Sequence, residues 1–173
     1  MCAVCEFKID FGVSHPSALS VAVAARKAIE SGLIAPIEAT EGALSAARLR
    51  MASVETLNRL QARIEEAHSE DALLTLPDFY VLLIENDTWG FFHATTEGFD
   101  PDIVPEIPDV AATDESKRSH ILIMSEAALH GWLDGKFDTL AALRDSLFMV
   151  DAPEAATAAL KQMLATAEAS VVA

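Results

Sequence analysis

The sequence predicts an α+β fold, a small mixed or antiparallel sheet with helices packed on one face and an N-terminal strand–helix–helix addition. Three observations predict it. Four short apolar runs have the length of strands, at Asp78 to Ile84, Thr88 to His93, His120 to Met124 and Leu147 to Val150. The first two are joined by Asn86-Asp87, which reads as a hairpin turn. The stretches around them repeat apolar residues every three or four positions, the period of a helix with one buried face. At 173 residues the chain fits a single domain. Residues 1–38 form an N-terminal strand and helix, and residues 39–173 hold a long helix, the hairpin and a C-terminal part.

The elements follow in order. Glu6 to Phe11 alternates polar and apolar residues, as a half-buried strand does. Ser14 and Pro16 open a helix, with Pro in the first turn where its missing N–H costs nothing. Leu19, Ala22, Val23 and Ile29 form its stripe, and Gly32 stops it. A second helix runs from Thr40 to about Ser69, with Met51, Val54, Leu57, Leu60 and Ile64 on its apolar face. Pro77 breaks that pattern and the hairpin follows. Glu97 to Ser119 carries Pro101, Pro105 and Pro108 among acidic residues and reads as a surface loop.

The last third is the densest. After the strand ending at Met124, Ser125 offers an N-cap hydroxyl and Glu126 an anion in the first turn. Gly135 stops that helix, and a second short one runs from Asp138 to about Arg144. The strand Leu147 to Val150 comes next. Asp151 and Glu154 have capping-box spacing ahead of a closing helix that bears Leu160, Met163 and Leu164.

Charge excludes some functions. There are 27 acidic and 12 basic residues, a formal net charge of −15. Such a chain repels phosphate backbones and anionic membrane surfaces, so nucleic acid is not an expected partner. The chain is 51% hydrophobic, with mean hydropathy +0.27. No apolar run reaches the ~18 residues of a membrane span. The opening MCAVCEFKID has no basic stretch ahead of an apolar one, unlike a secretory signal, so the expected compartment is the cytoplasm.

Candidate chemistry is sparse. Cys2-x-x-Cys5 has the spacing of a soft-metal pair, with His15 a conceivable third ligand. A structural zinc takes four ligands, and no second such pair or H-x-x-x-H is present. The plain alternative is a small buried residue beside a terminal thiol. Five histidines stand apart in sequence. His93 ends one strand and His120 begins another, which places both at one end of the sheet. The chain has no G-x-S-x-G, no phosphate-binding Gly-rich loop and no EF-hand spacing among Asp100, Asp102, Glu106 and Asp109. No cofactor is expected.

The remaining signal is apolar. Met124, Leu129, Trp132, Phe137, Leu140, Phe148 and Met163 would line a space between sheet and helices. An ordinary core has the same composition. Two features point to a pocket: methionine adapts to irregular apolar space, and Trp132 beside Gly131 could sit at a cavity mouth with its indole N–H towards solvent or a ligand head group. A tunnel gains ~0.8 kcal/mol per buried methylene.

These residues also carry a resemblance. Met124-Ser125-Glu126, Gly135-Lys136-Phe137-Asp138, Ala141-Ala142, the strand Leu147 to Val150 and the helix from Leu160 to Leu164 together resemble the sterol-carrier-protein (type two) family of lipid-binding domains. The resemblance is confined to the C-terminal third. Asp145-Ser146 stands where that family has a second Gly-Lys, and Asp151-Ala152 where it has a Gly. What the resemblance implies is an apolar ligand held between sheet and helices without covalent chemistry. The expected function is thus non-catalytic binding of a lipid or acyl chain. The alternatives are an interaction protein acting as a homo-oligomer, and a metal-binding protein using Cys2 and Cys5.

Overall fold

The computed structural model describes residues 14–37 and 43–169. The strand at Glu6 to Phe11 and the Cys2–Cys5 pair lie outside these residues. The fold is α+β, as the sequence predicts. Its helices are α1 (Ala18–Glu30), α2 (Ala43–Ala67), α3 (Glu70–Leu74), α4 (Glu126–Leu133), α5 (Thr139–Arg144) and α6 (Glu154–Ala169). Its strands are β1 (Phe79–Leu83), β2 (Thr88–Phe92), β3 (Ala94–Thr95), β4 (Gly98–Phe99), β5 (Ile121–Met124) and β6 (Phe148–Asp151).

The main sheet has the order β2-β1-β5-β6 and is mixed. β1 and β2 form the expected antiparallel hairpin, with Leu82 opposite Trp89. The crossing from β4 back to the middle of the sheet lays β5 parallel to β1, with Leu82 opposite Ile123. The helical excursion α4–α5 then returns the chain antiparallel as β6. β3 and β4 make a separate small hairpin that straddles the start of the stretch read as a loop, with β3 just before Glu97 and β4 just after it.

β1 and β5 are buried along their whole length because both faces of the sheet are covered. That is why FYVLL and ILIM are unbroken apolar runs rather than alternations. Phe79, Val81, Leu83, Phe92, Leu122, Met124 and Phe148 join the larger core, together with Leu57, Leu60 and Ile64 of α2 and Leu160, Met163 and Leu164 of α6. Tyr80, Leu82, Trp89, Ile121 and Ile123 form a second, smaller cluster. Val21 of α1 is buried in that cluster, and Val110 of the 100–120 crossing packs against it. The expected helix layer is therefore present, and α1 with the crossing adds a cover the sequence did not announce.

Two amphipathic faces differ from expectation. On α1 the buried residues are Val21, Ala25 and Ala28, while Leu19 and Val23 are exposed. The period was legible and the phase was not: small alanines let α1 approach its neighbours, and bulky Leu19 is left outside. On α2, Leu57, Leu60 and Ile64 are buried as expected, but Met51 is exposed. The inward positions near it are Ser53 and Thr56, which face a polar partner described below.

Candidate functional site

The residues proposed to line a pocket are mostly brought together. Met124, Leu129, Trp132, Phe148 and Met163 are buried members of the larger core, and Phe137 packs against it half-buried. Trp132 and Phe148 meet edge to face with ring centroids 6.2 Å apart. Leu140 is elsewhere: it is 73% exposed. α5 turns Thr139 and Ala142 inward, and Leu140, one residue from Thr139, falls on the solvent side.

The surroundings of Trp132 are specific. Its indole N–H donates to Thr139 Oγ1 at 3.0 Å, and both groups are buried. The tip expected to face solvent or a head group is instead tied to the first residue of α5. Beside it, a Cβ on Gly131 would lie 2.8 Å from Phe137 Cε1 and 3.0 Å from Ile34 Cγ2. Bare backbone at Gly131 is what admits the Phe137 ring. Gly135, with φ +70, then turns the chain out of α4 as read from the sequence.

A polar cluster that the sequence did not reveal joins α2 to α4. The Glu126 carboxylate is 1% exposed. It accepts from Ser53 Oγ at 2.6 Å and from Thr56 Oγ1 at 3.1 Å. Thr56 Oγ1 also lies 2.8 Å from His130 Nε2, and Asn86 Nδ2 donates to Ser53 Oγ at 3.0 Å. Thr88, nearby in sequence on β2, has a buried hydroxyl with no hydrogen-bond partner. Glu126 stands in the first turn of α4, as read from the sequence, and its carboxylate is turned inward onto α2. Glu85, from the β1–β2 turn, brings a second carboxylate to the start of α4, accepting the backbone N–H groups of Glu126 at 2.7 Å and Ala127 at 3.1 Å and the Ser125 hydroxyl at 2.6 Å. Ser125 does cap the helix, accepting from Ala128 N. Read alone, the i, i+3 pair Ser53 and Thr56 in an otherwise apolar stripe was the available signal.

The histidines are placed as follows. His15 is buried, its Nε2 lies 2.9 Å from Asp151 Oδ2, and its Nδ1 accepts the Ser17 backbone N–H at 3.0 Å. Both ring nitrogens are therefore engaged, and neither is turned to a metal. Arg118 approaches the other oxygen of Asp151 at 3.4 Å. Asp151 ends β6 with its side chain committed to these two partners, so it is not the helix cap its spacing suggested. His93 and His120 do meet at one end of the sheet, both on Asp78: His93 Nδ1 lies 2.8 Å from its carboxylate and His120 Nδ1 2.8 Å from its carbonyl. Among the described residues no group of three or more His, Cys, Asp or Glu side chains could hold a metal ion. Cys2 and Cys5 lie outside them.

No helix among the described residues is long and apolar enough to cross a membrane. No protein-family model, curated protein or solved structure matches this chain.

Proposed function

We propose that the protein binds a small apolar ligand, a lipid or an acyl chain, without catalysis. The observation that carries this reading is the convergence of Met124, Leu129, Trp132, Phe148 and Met163, drawn from β5, α4, β6 and α6, on one apolar interior. A guest would lodge between the sheet and the helix layer, entering where Phe137 covers Gly131. Half-buried Phe137 and unbranched Met163 are the side chains best able to give way. The sterol-carrier-like residues of the last third motivate the choice of ligand, and the reading takes the protein to work in the cytoplasm. Hydrocarbon burial alone supplies affinity in such a site.

The test is titration of the Trp89→Phe variant with fatty acids, acyl-CoA and sterols. Trp89 lies in the opposite cluster, so its removal leaves Trp132 as the reporter. Binding should shift Trp132 emission and raise the melting temperature, by ~2.7 kcal/mol of stability at a ligand concentration of about 100 Kd. Unchanged emission and melting with all three ligand classes would refute the reading.

A second reading is an interaction protein that acts as a homo-oligomer. It is favoured by Leu44 and Met51, 81% and 68% exposed and two turns apart on one side of α2. Light scattering decides it: a monomer at all concentrations removes it.

A further inference from the structure

The crossing between β4 and β5 contains a ridge with its own chemistry. From Ile103 to Asp109 the backbone has no helix, strand, turn or bend. Pro105 and Pro108 fix their own φ near that of polyproline II, and each pushes the residue before it, Val104 and Ile107, into the same extended region. A polyproline II helix has three residues per turn, so residues 104 and 107 share one edge and 105 and 108 another. Burial follows that period. Pro108 is buried and Pro105 half-buried, while Val104 is 90% exposed and Ile107 66% exposed.

The ridge is held in place at several points. The Tyr80 hydroxyl donates to the Glu106 carbonyl at 2.7 Å. Val110 packs against the second core cluster. The Asp109 N–H donates to Ser119 Oγ at 2.9 Å, and Arg118 Nε donates to the Ala112 carbonyl at 2.9 Å. Two aliphatic side chains are thus displayed to water on a backbone already ordered, which lowers the entropy lost when a partner grips them. Along the chain the ridge is flanked by carboxylates, and the cation that reaches the crossing, Arg118, is engaged by the Ala112 carbonyl and the Asp151 carboxylate. Asp100, Asp102, Glu106 and Asp109 accompany the ridge, and no Lys or Arg occurs between Arg63 and Lys117.

We infer that Val104 and Ile107 form a protein-docking ridge for a partner with two apolar pockets in a groove rimmed by Lys and Arg. The spacing sets the pockets one polyproline turn apart, about 9 Å. The rim complements the carboxylates, so association is salt-sensitive. This is independent of whether the interior holds a ligand.

The test uses the full chain with a photo-crosslinking amino acid at position 104, and at exposed Thr113 as control, in extracts of the cells that make it. The expected result is an adduct specific to position 104, mapped by mass spectrometry to a groove containing Lys or Arg. The partner so identified is then purified and titrated against the unmodified chain. The Val104→Ser/Ile107→Ser variant should bind about tenfold more weakly or worse, and Asp102→Asn/Glu106→Gln should weaken binding chiefly at low salt. Both variants should melt like the parent, since the changed side chains face water. Equal labelling from 104 and 113, no adduct at 104, an adduct only with another copy of this chain, or a purified partner indifferent to the Val104→Ser/Ile107→Ser change each overturns the inference.

Discussion

Glu126 on α4 and Ser53 on α2 meet through a 2.6 Å hydrogen bond in the interior, 73 residues apart in sequence. With Thr56 one turn further along α2, this carboxylate joins two helices by donors that carry no charge. Ser53→Ala should destabilise the protein by about 1.5–3 kcal/mol, the range for a hydrogen bond to a charged group. Glu126→Ala should cost more, because it removes both cross-helix bonds at once and leaves Ser53 and Thr56 only the α2 carbonyls of Leu49 and Ala52, His130 and Asn86 as partners. A double-mutant cycle by urea denaturation checks the coupling; additive losses would show that the pair does not act as a unit.

Gly131→Ala should be destabilising by about 1–3 kcal/mol, since its Cβ would meet Phe137 Cε1 at 2.8 Å. Phe137→Leu in the same chain should recover part of the loss. Thermal melts of the single and double variants read this directly. If Gly131→Ala melted like the parent, the ring would not be confined as described.

Phe148→Ala should cost about 3–5 kcal/mol through the cavity it leaves, whereas Leu140→Ser should change stability by no more than about 0.5 kcal/mol. The same pair separates an interior ligand from a surface one. Phe148→Ala and Met163→Ala should weaken the Trp132 response to fatty ligands, and Leu140→Ser should leave it intact.

Tyr80 is the sole tyrosine. Burial first, then the Glu106 and Asp78 carboxylates, hold its phenol above the ordinary range. The raised value means the folded state favours the neutral phenol. Its contribution is fully present below about pH 10, the unfolded value, and is lost as pH rises through the folded value. Absorbance at the phenolate band should therefore rise at higher pH in the folded protein than in urea. Tyr80→Phe should abolish that titration and remove about 1 kcal/mol for the bond to the Glu106 carbonyl.

Much of the architecture was legible because it is written locally. Ser125 caps α4, Gly135 ends it, Asp138 caps α5, and the apolar runs at 79–83 and 121–124 are strands, each decided by chemistry within a few residues. The hairpin was legible for the same reason. Which stripe of α1 turned inward was not, because Leu19 and Val23 are greasier than Ala25 and Ala28, and hydropathy cannot register how close two backbones come. Glu126 was legible as the first-turn acid of α4, and its partners were not. Only the fold brought two hydroxyls of α2 to its carboxylate and added Glu85 at the same helix start.

Sequence alone determined the longer elements, their order and the apolar character of the interior, though not the short α3, β3 and β4, since capping, turn formation and periodicity act over a few residues. Tertiary structure decided the parallel pairing of β1 with β5, the cover on the second sheet face, the outward turn of Leu140 and the meeting of Glu126 with Ser53. Each of these depends on side chains far apart along the chain filling one shared space, a condition that no short stretch of residues expresses.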